Sequence, residues 1–396
     1  MSKVIVVGGG ASGMVSAIVA ARNGSSVTIL EKNNSLGKKI LVTGNGKCNY
    51  FNDDFSINHY YSNNIDILDR IINDDNKKRV LDFFLSIGVI PDIKNGYYYP
   101  YSNQAISIVN ALNIEIKRLG INVITNCYVN DIKYVNESYI VNDKYSCDKL
   151  IISSGSYSYY NYDDVNSYKL VSKLGFDIIN PMPALVQLVI NNKITKEWAG
   201  VRVYSKVKLY EDNKFVKEEE GEVLFTNYGV SGICIMQLSG IIARGLNDHK
   251  YSLVFNFIPN ICDDDVVNFL DKYNSRCPNR KVIEIYDSLI NYKLGNILVG
   301  NYGNKYYNEL TLEEKNIIFN NLINYKINID DTKGYKESQV CSGGVKLDSI
   351  NINSMESISN PGLYVIGELL DVNGDCGGYN LGFAWLSGII AGDNCD

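Results

Sequence analysis

Residues 4–31 read VIVVGGGASGMVSAIVAARNGSSVTILE, and this stretch decides the fold. An apolar run, Val4 to Val7, ends in three glycines that open a segment with helical spacing. A second apolar run, Val27 to Leu30, closes on Glu31. Each part has a job in holding a dinucleotide. Gly8 permits the tight strand-to-helix turn, Gly10 lets a pyrophosphate approach the backbone, and Gly13 lets the helix pack on the strand. The phosphates would sit on the N–H groups of the first turn, around Ala11 and Ser12, at the positive end of the helix. Glu31, with Lys32 beside it, stands 18 positions beyond Gly13. A carboxylate there can accept both ribose hydroxyls and would repel a 2′-phosphate. A glycine fingerprint alone would be a weak sign. Strand, helix, second strand and acidic terminus at these intervals make it a dinucleotide site, NAD or FAD.

With 396 residues the chain exceeds one typical core, so about two or three domains are expected. Apolar content of 45% with 21% charged residues describes a globular protein. A net charge of −6 gives no basic footprint for nucleic acid. No stretch has the uninterrupted apolar length of a membrane span. The first strand begins at once, leaving no room for a signal peptide, and a cytoplasmic location is expected. Nine cysteines without a CxxC pair suggest reduced thiols. Two histidines, His59 and His249, make a histidine metal centre or catalytic triad improbable, and no metal is expected.

The chain then alternates. Residues 33–52 form a Gly-, Asn- and Lys-rich loop, and a polar helical stretch runs to about residue 88. A short aromatic strand at Gly96–Tyr101 and helical spacing over 104–119 follow. Strands then lead to the apolar run Leu150–Ile152, which ends at Ser154 and Gly155. A βαβ unit followed by a β-meander and a parallel strand is the order of FAD domains built on a doubly wound α/β sheet. Alternating segments over about 186–260 read as antiparallel strands, and from Asp263 the pattern turns helical. The expected organisation is an FAD-binding domain from residues 1–185 and 336–396, a β-rich insert over 186–262, and a helical part of that insert over 263–335.

Near the C-terminus, Leu363–Ile366 reads as a strand ending at Gly367 and Glu368. Gly377-Gly378-Tyr379-Asn380 then opens a small-residue helix. Its positive end can face the flavin edge where charge gathers on reduction. NAD needs no such element from the far end of the chain, whereas FAD does.

Four segments carry a resemblance that runs nearly end to end: EKNNSLGKKILVTGNGKCNYFN, GEVLFTNYGVSG, SGGVKLDSINI with NSMESIS, and GLYVIGELLDVNGDCGGYNLGFAWLSG. In these the chain resembles the bacterial HI0933-like flavoproteins, which include BaiN-type bile-acid reductases and aminoacetone-oxidase-like enzymes. The resemblance implies a glutathione-reductase-type FAD domain interrupted by a β-rich insert and a helical piece. It implies that Gly8, Gly10, Gly13 and Glu31 hold the ADP half. Lys38, Thr43, Gly44, Asn45, Gly46 and Cys48 would line the isoalloxazine and ribityl side. Val129, on the strand after INVITN, would hold adenine through its backbone. Glu368 would bind a ribityl hydroxyl, with Asn380 and Leu381 at the flavin end. Lys47 stands where the family usually has Arg, and Asn227 where a histidine is common. The Tyr- and Asp-rich SYSYYNYDDVNSY (156–168) replaces a Gly- and Pro-containing loop.

The flavin carries the redox step and the protein positions it. No second GxGxxG appears, so a nicotinamide donor would bind transiently, between FAD domain and insert. Cys48, Cys341 and Cys376 fall in motif segments, but the CxxxxC of disulfide reductases is absent. Buried structural cysteine is the plainer reading, with Cys48 kept as a candidate. Tyr379 and the tyrosines of 157–162 are candidate proton donors. His59 and His249 lie outside the flavin motifs, and FAD is expected to bind non-covalently. The expected function is FAD-dependent reduction of a conjugated ketone by NAD(P)H. An oxidase passing electrons to O₂, or a non-catalytic flavin binder, are the alternatives. The expected partner is a small-molecule substrate rather than nucleic acid or membrane.

Overall fold

The structure is a computed structural model that describes residues 1–159, 167–261, 266–276 and 279–395. These divide into two compact units, residues 1–182 with 339–396 and residues 183–338.

The first unit is built on β1 (Lys3–Val7), α1 (Ala11–Arg22), β2 (Ser26–Leu30), α2 (Ala105–Arg118), β3 (Asn122–Ile124), β4 (Lys149–Ile152), β5 (Leu363–Val365) and α3 (Tyr379–Asp393). The five strands are parallel in the order β5-β4-β1-β2-β3, with Ile350–Asn351 and Glu356–Ser357 added antiparallel at the β5 edge. Buried strands such as VIVV read as continuous apolar runs because helices can cover both faces of a parallel sheet. Val4, Val6, Ile29, Leu150, Ile152 and Val365 are all fully buried. A three-stranded antiparallel meander, Ile132–Val135, Ser138–Val141 and Tyr145–Cys147, bridges β3 to β4.

α3 is buried nearly all round, because its small residues let backbones approach. A methyl group at Gly388 would lie 2.6 Å from the Ser12 carbonyl oxygen. One at Gly392 would lie 2.7 Å from Val19 Cβ. Two segments from opposite ends of the sequence are thereby locked together. On the other side of α3, Trp385 packs edge-on to Phe84 and donates its indole N–H to the Tyr50 carbonyl at 2.9 Å.

The second unit is a seven-stranded antiparallel sheet in the order Tyr325–Ile329, Tyr251–Asn256, Arg202–Glu211, Lys214–Phe225, Gly229–Ser231, Leu188–Val189, Asp331–Thr332. Its helices include Ile233–Gly245, Tyr292–Val299 and Leu312–Ile323. Strand residues Val207, Leu253 and Phe255 share one core with Leu238, Leu294 and Ile318 from the helices. Trp198 is wholly buried in that core and donates to the Thr226 carbonyl at 3.0 Å.

One ion-pair cluster ties α1 to α2. Glu115 is buried and takes hydrogen bonds from Arg22 at 2.7 and 3.0 Å and from Arg118 at 2.7 Å. The Arg118 and Arg22 guanidinium groups, working against burial, hold this carboxyl down to about 2, from an ordinary 4.5. A depressed value means the stabilisation is complete above about 4.5 and is lost as pH falls toward 2. Glu115→Gln should therefore cost roughly 1.5–3 kcal/mol near neutrality, the worth of hydrogen bonds to a charged group. That deficit should shrink with acidification, read as urea midpoints across a pH series.

Candidate functional site

The glycine turn after β1 is held by backbone contacts that no side chain would permit. Gly8 has φ +104°, and a Cβ there would lie 2.5 Å from the Ser153 carbonyl oxygen. A Cβ on Gly13 would collide with the Gly8 carbonyl oxygen and lie 2.5 Å from Ser153 Oγ. Gly10 differs: a Cβ there would meet nothing within 4 Å. It stands at the N-cap of α1, whose first turn has neither a capping side chain nor an acidic residue. Close packing thus surrounds one open spot at a helix N-terminus, which is where an anion fits.

At the end of β2, Glu31 is buried. Its Oε2 accepts from Gly9 N at 2.7 Å, and its Oε1 accepts from Asn33 N and Nδ2 at 2.7 and 2.6 Å. The carboxylate therefore braces the glycine turn itself, with remaining lone pairs for further donors. Glu31 N donates to the Ile124 carbonyl and Cys127 N to the Glu31 carbonyl, so the segment after β3 runs beside it. Val129 is buried in that segment. It lies outside any strand, a correction to the sequence reading: residues 125–131 are irregular backbone between β3 and Ile132–Val135.

Residues Thr43–Cys48 form a kinked, open loop. Gly44, Asn45, Gly46 and Cys48 all have positive φ, and Gly44 through Lys47 are exposed. Thr43 Oγ1 donates to the Ile40 carbonyl at 2.6 Å. Cys48 is fully buried, and burial pushes its thiol up to about 12, which keeps it protonated. Burial likewise carries Cys341 to about 12. Neither is a thiolate near neutrality, which argues against Cys48 as a nucleophile.

Glu368 follows β5 and collects partners from distant segments. Lys39 Nζ donates to its Oε2 at 2.6 Å. Ser156 Oγ and Ser158 Oγ each donate to Oε1 at 2.7 Å, and Cys341 N does so at 3.1 Å. Lys39 also donates to Ser158 Oγ. The sequence reading chose the neighbouring Lys38, which is exposed. It missed Lys39, Ser156 and Ser158, although serines alternating after a parallel strand were a usable sign. Gly367, with φ +69°, abuts the Ser12 side chain, so Glu368 starts next to the first turn of α1.

α3 begins at Gly378, φ +96°, again with no capping side chain and no acidic residue in its first turn. Leu381 lies in that turn. The Asn380 side chain is turned back to staple the preceding loop. Its Oδ1 accepts from Gly374 N at 2.7 Å, and its Nδ2 donates to the Gly374 and Asp375 carbonyls at 2.8 and 3.2 Å. Any contact it makes to a flavin would come from its backbone. Tyr379 is buried, and burial raises its phenol, which stays protonated. Tyr157 is buried against Tyr168, and Tyr159 is exposed. Tyr160 and Tyr162 lie outside the described residues.

A dinucleotide carrying a flavin fits these residues. Ser154 Oγ and Asn49 Oδ1 are buried without a hydrogen-bond partner among the described residues. The Ser154 backbone lies beside Gly8, and Asn49 Oδ1 is 3.0 Å from where a Gly378 Cβ would stand. Open space also faces Gly46 and Gly155. Two uncapped helix ends, an acidic β2 terminus and unmet polar atoms are what FAD would complete. Among the described residues no group of His, Cys, Asp or Glu is placed to hold a metal ion, and no helix is long and apolar enough to cross a membrane.

Fold and site together define an FAD-dependent oxidoreductase of the Rossmann type. The chain belongs to the HI0933-like family, the profile of the HI0933-like protein Rossmann domain matching residues 2–394. It is 33% identical over 403 residues to a 3-dehydro-bile acid Δ4,6-reductase of Clostridium scindens, covering 99% of this chain and 98% of that one. It is 25% identical over 392 residues to a ribosomal RNA dihydrouridine synthase of Escherichia coli, covering 97% and 95%. Among solved structures, a 3-ketosteroid-Δ4-(5α)-dehydrogenase from Rhodococcus jostii shares the fold at TM-score 0.51 and 12% identity, over 100% of this chain and 97% of that one.

Two pairs of variants test this assignment. Gly10→Ala should leave the FAD-free protein within about 1 kcal/mol of wild type, since alanine fits its φ of −82°, yet weaken FAD at least about tenfold by blocking the phosphate approach. Gly13→Ala should lower stability itself. Equal effects of the two on thermal unfolding would sink the distinction. Lys39→Met should weaken FAD retention about tenfold by unbalancing Glu368, and Lys38→Met should change it less than about twofold, both read by flavin fluorescence titration.

Proposed function

We propose that this chain reduces a carbon–carbon double bond conjugated with a carbonyl, taking its electrons from NAD(P)H. The observation that carries the reading is the end-to-end 33% identity with a 3-dehydro-bile acid Δ4,6-reductase. A 3-keto group with 4,6-unsaturation is a conjugated ketone. Dihydrouridine, the product named for the second relative, is uridine with its carbonyl-conjugated ring double bond saturated. The two relatives' names thus share a bond type. The net charge of −6 supports a small-molecule substrate over a polyanionic RNA.

FAD bound in the site would supply a two-electron carrier able to accept hydride from a nicotinamide and deliver it to carbon. The chain's own groups do the rest. The uncapped start of α1 at Gly10 binds the pyrophosphate, and the brace of Glu31 on Gly9 and Asn33 fixes the turn that presents those amides. The α3 N-terminus supplies positive potential with no acidic residue in its first turn to cancel it. Tyr379, protonated and buried at that end, holds a phenolic proton that could be passed to the carbon next to the carbonyl.

Anaerobic rapid mixing tests the reading. NADH or NADPH should bleach the flavin band, and a 3-keto-4-ene steroid should restore it faster than dissolved oxygen does. Flavin that nicotinamide leaves oxidised, or that only oxygen reoxidises, would overturn it in favour of a binder or an oxidase. A uridine-containing RNA in the same panel should leave the reduced flavin unchanged.

A further inference from the structure

The loop that leads into α3 is stitched to residues 59–61. Asn373 and Gly374 pair antiparallel with Tyr61 and Tyr60. Asp375 N donates to the His59 carbonyl at 2.9 Å, and Tyr60 OH donates to the Tyr379 carbonyl at 3.1 Å. The His59 imidazole sits at the centre of this seam. Its Nδ1 is 3.1 Å from Asp375 Oδ2, and its Nε2 is 2.9 Å from Asp54 Oδ2. Its ring lies flat on the Tyr379 ring, with centroids 4.4 Å apart and an interplanar angle of 18°. A neutral imidazole donates from one nitrogen only, so its other lone pair would confront a carboxylate. Both nitrogens face carboxylate oxygens here, and the imidazolium alone satisfies both.

We propose that His59 is a positioning residue: as an imidazolium bridging Asp54 and Asp375, it fixes the Asp375–Asn380 loop and the Tyr379 ring at the N-terminus of α3. This rests on the reading of that helix end as the flavin end of the site. A second face of the same ring thus supports the one tyrosine that both motif and structure place there.

The surrounding charges agree. Burial opposes charging of His59, but hydrogen bonds to Asp54 and Asp375 and the charges of both outweigh it and raise its value. The bridge is therefore complete at and below the ordinary histidine range and is lost as pH rises through the raised value. The hydrogen bond from His59 holds Asp54 low, and Lys77, 2.8 Å from Asp53 Oδ1, holds Asp53 low. On the loop side, Tyr61 OH donates to Asp375 Oδ1 at 3.0 Å, and Asp371 accepts from Ser62 and from Asn63 N. Tyr97 faces the Tyr379 phenol, and burial pushes the Tyr60, Tyr98 and Tyr379 phenols up. Among the shifted groups of this cluster, the imidazole is the one whose ordinary value lies near neutrality, and its partners raise it.

The chain has only two histidines, His59 and His249, so a spectrum of protein labelled at histidine Cε1 alone has two resonances. His249→Gln assigns them. His59 should titrate above the free-histidine value of about 6.5, and Asp54→Asn or Asp375→Asn should each lower it. FAD affinity should then be measured between about pH 6 and 9, with His59→Gln as the control for the Cys thiols that ionise near the top of that span. Wild-type affinity should fall about tenfold across the His59 titration, the scale of one lost charge-assisted hydrogen bond. His59→Gln should be weak throughout and flat with pH, and His59→Lys should restore part of the affinity. A His59 resonance titrating at or below the free value overturns the bridge. A His59→Gln profile that falls like wild type overturns the positioning role. If His59→Gln does not fold, Asp54→Asn decides instead: the fall in affinity should move to lower pH together with the His59 resonance, and a fall that stays where wild type has it overturns the positioning role. Wild-type protein that binds no FAD at any pH would strike the flavin assignment instead, and the carbon titration would still judge the bridge.

Discussion

Everything at the site depends on how closely backbone approaches backbone around Ser12. Gly367 abuts its side chain and Gly388 its carbonyl, while one residue later Gly13 lies against the turn at Gly8. These contacts bring α1, the turn after β5 and α3 together with nothing larger than the Ser12 side chain between them. The result is that the starts of two helices, separated by more than 350 residues of sequence, are fixed in one unit, where the proposed FAD would meet both. Van der Waals packing at such distances tolerates no added methyl group, so the constraint is rigid. The charged contacts then have fixed anchor points, with Glu31 bracing one end and Glu368 gathering Lys39, Ser156 and Ser158 near the middle.

The part of this legible in sequence was the part set by local backbone geometry. Gly8, Gly10 and Gly13 are required by one turn, and the strands around them announce themselves as apolar runs because both faces are covered. The β2 terminus at Glu31 followed from strand length. What stayed hidden were partnerships made across the fold. Lys38 and Lys39 are indistinguishable as letters, yet one side chain is solvated and the other reaches Glu368. The position of Asn380 was read correctly as the start of a helix, but its side chain folds back onto Gly374. Val129 looked like strand because β-rich sequence flanks it. Its backbone follows Glu31 instead. His59 seemed remote from the flavin motifs until antiparallel pairing at Tyr60–Tyr61 placed it on Tyr379.

In the second unit, the stretch expected to be helical from 263 to 335 returns to strand at Tyr325–Ile329 and Asp331–Thr332, both in the same seven-stranded sheet, and a common core runs through both kinds of element. Val207 and Phe255 point from strands into the same interior as Leu294 and Ile318. A sheet needs one face covered, and helices from the same segment of chain supply the cover.

The placement of the tryptophans has a spectroscopic consequence. The chain holds two, and each unit buries one: Trp385 on α3 against Phe84, Trp198 among the strands of the other core. Each indole is dry and anchored by its own N–H, so its emission should shift to the red only when its own unit opens. A single-tryptophan version of the chain is therefore a private reporter of one unit's cooperativity. The Trp385 reporter sits on the very helix whose start is assigned to the flavin, where emission would be drained by energy transfer as cofactor loads.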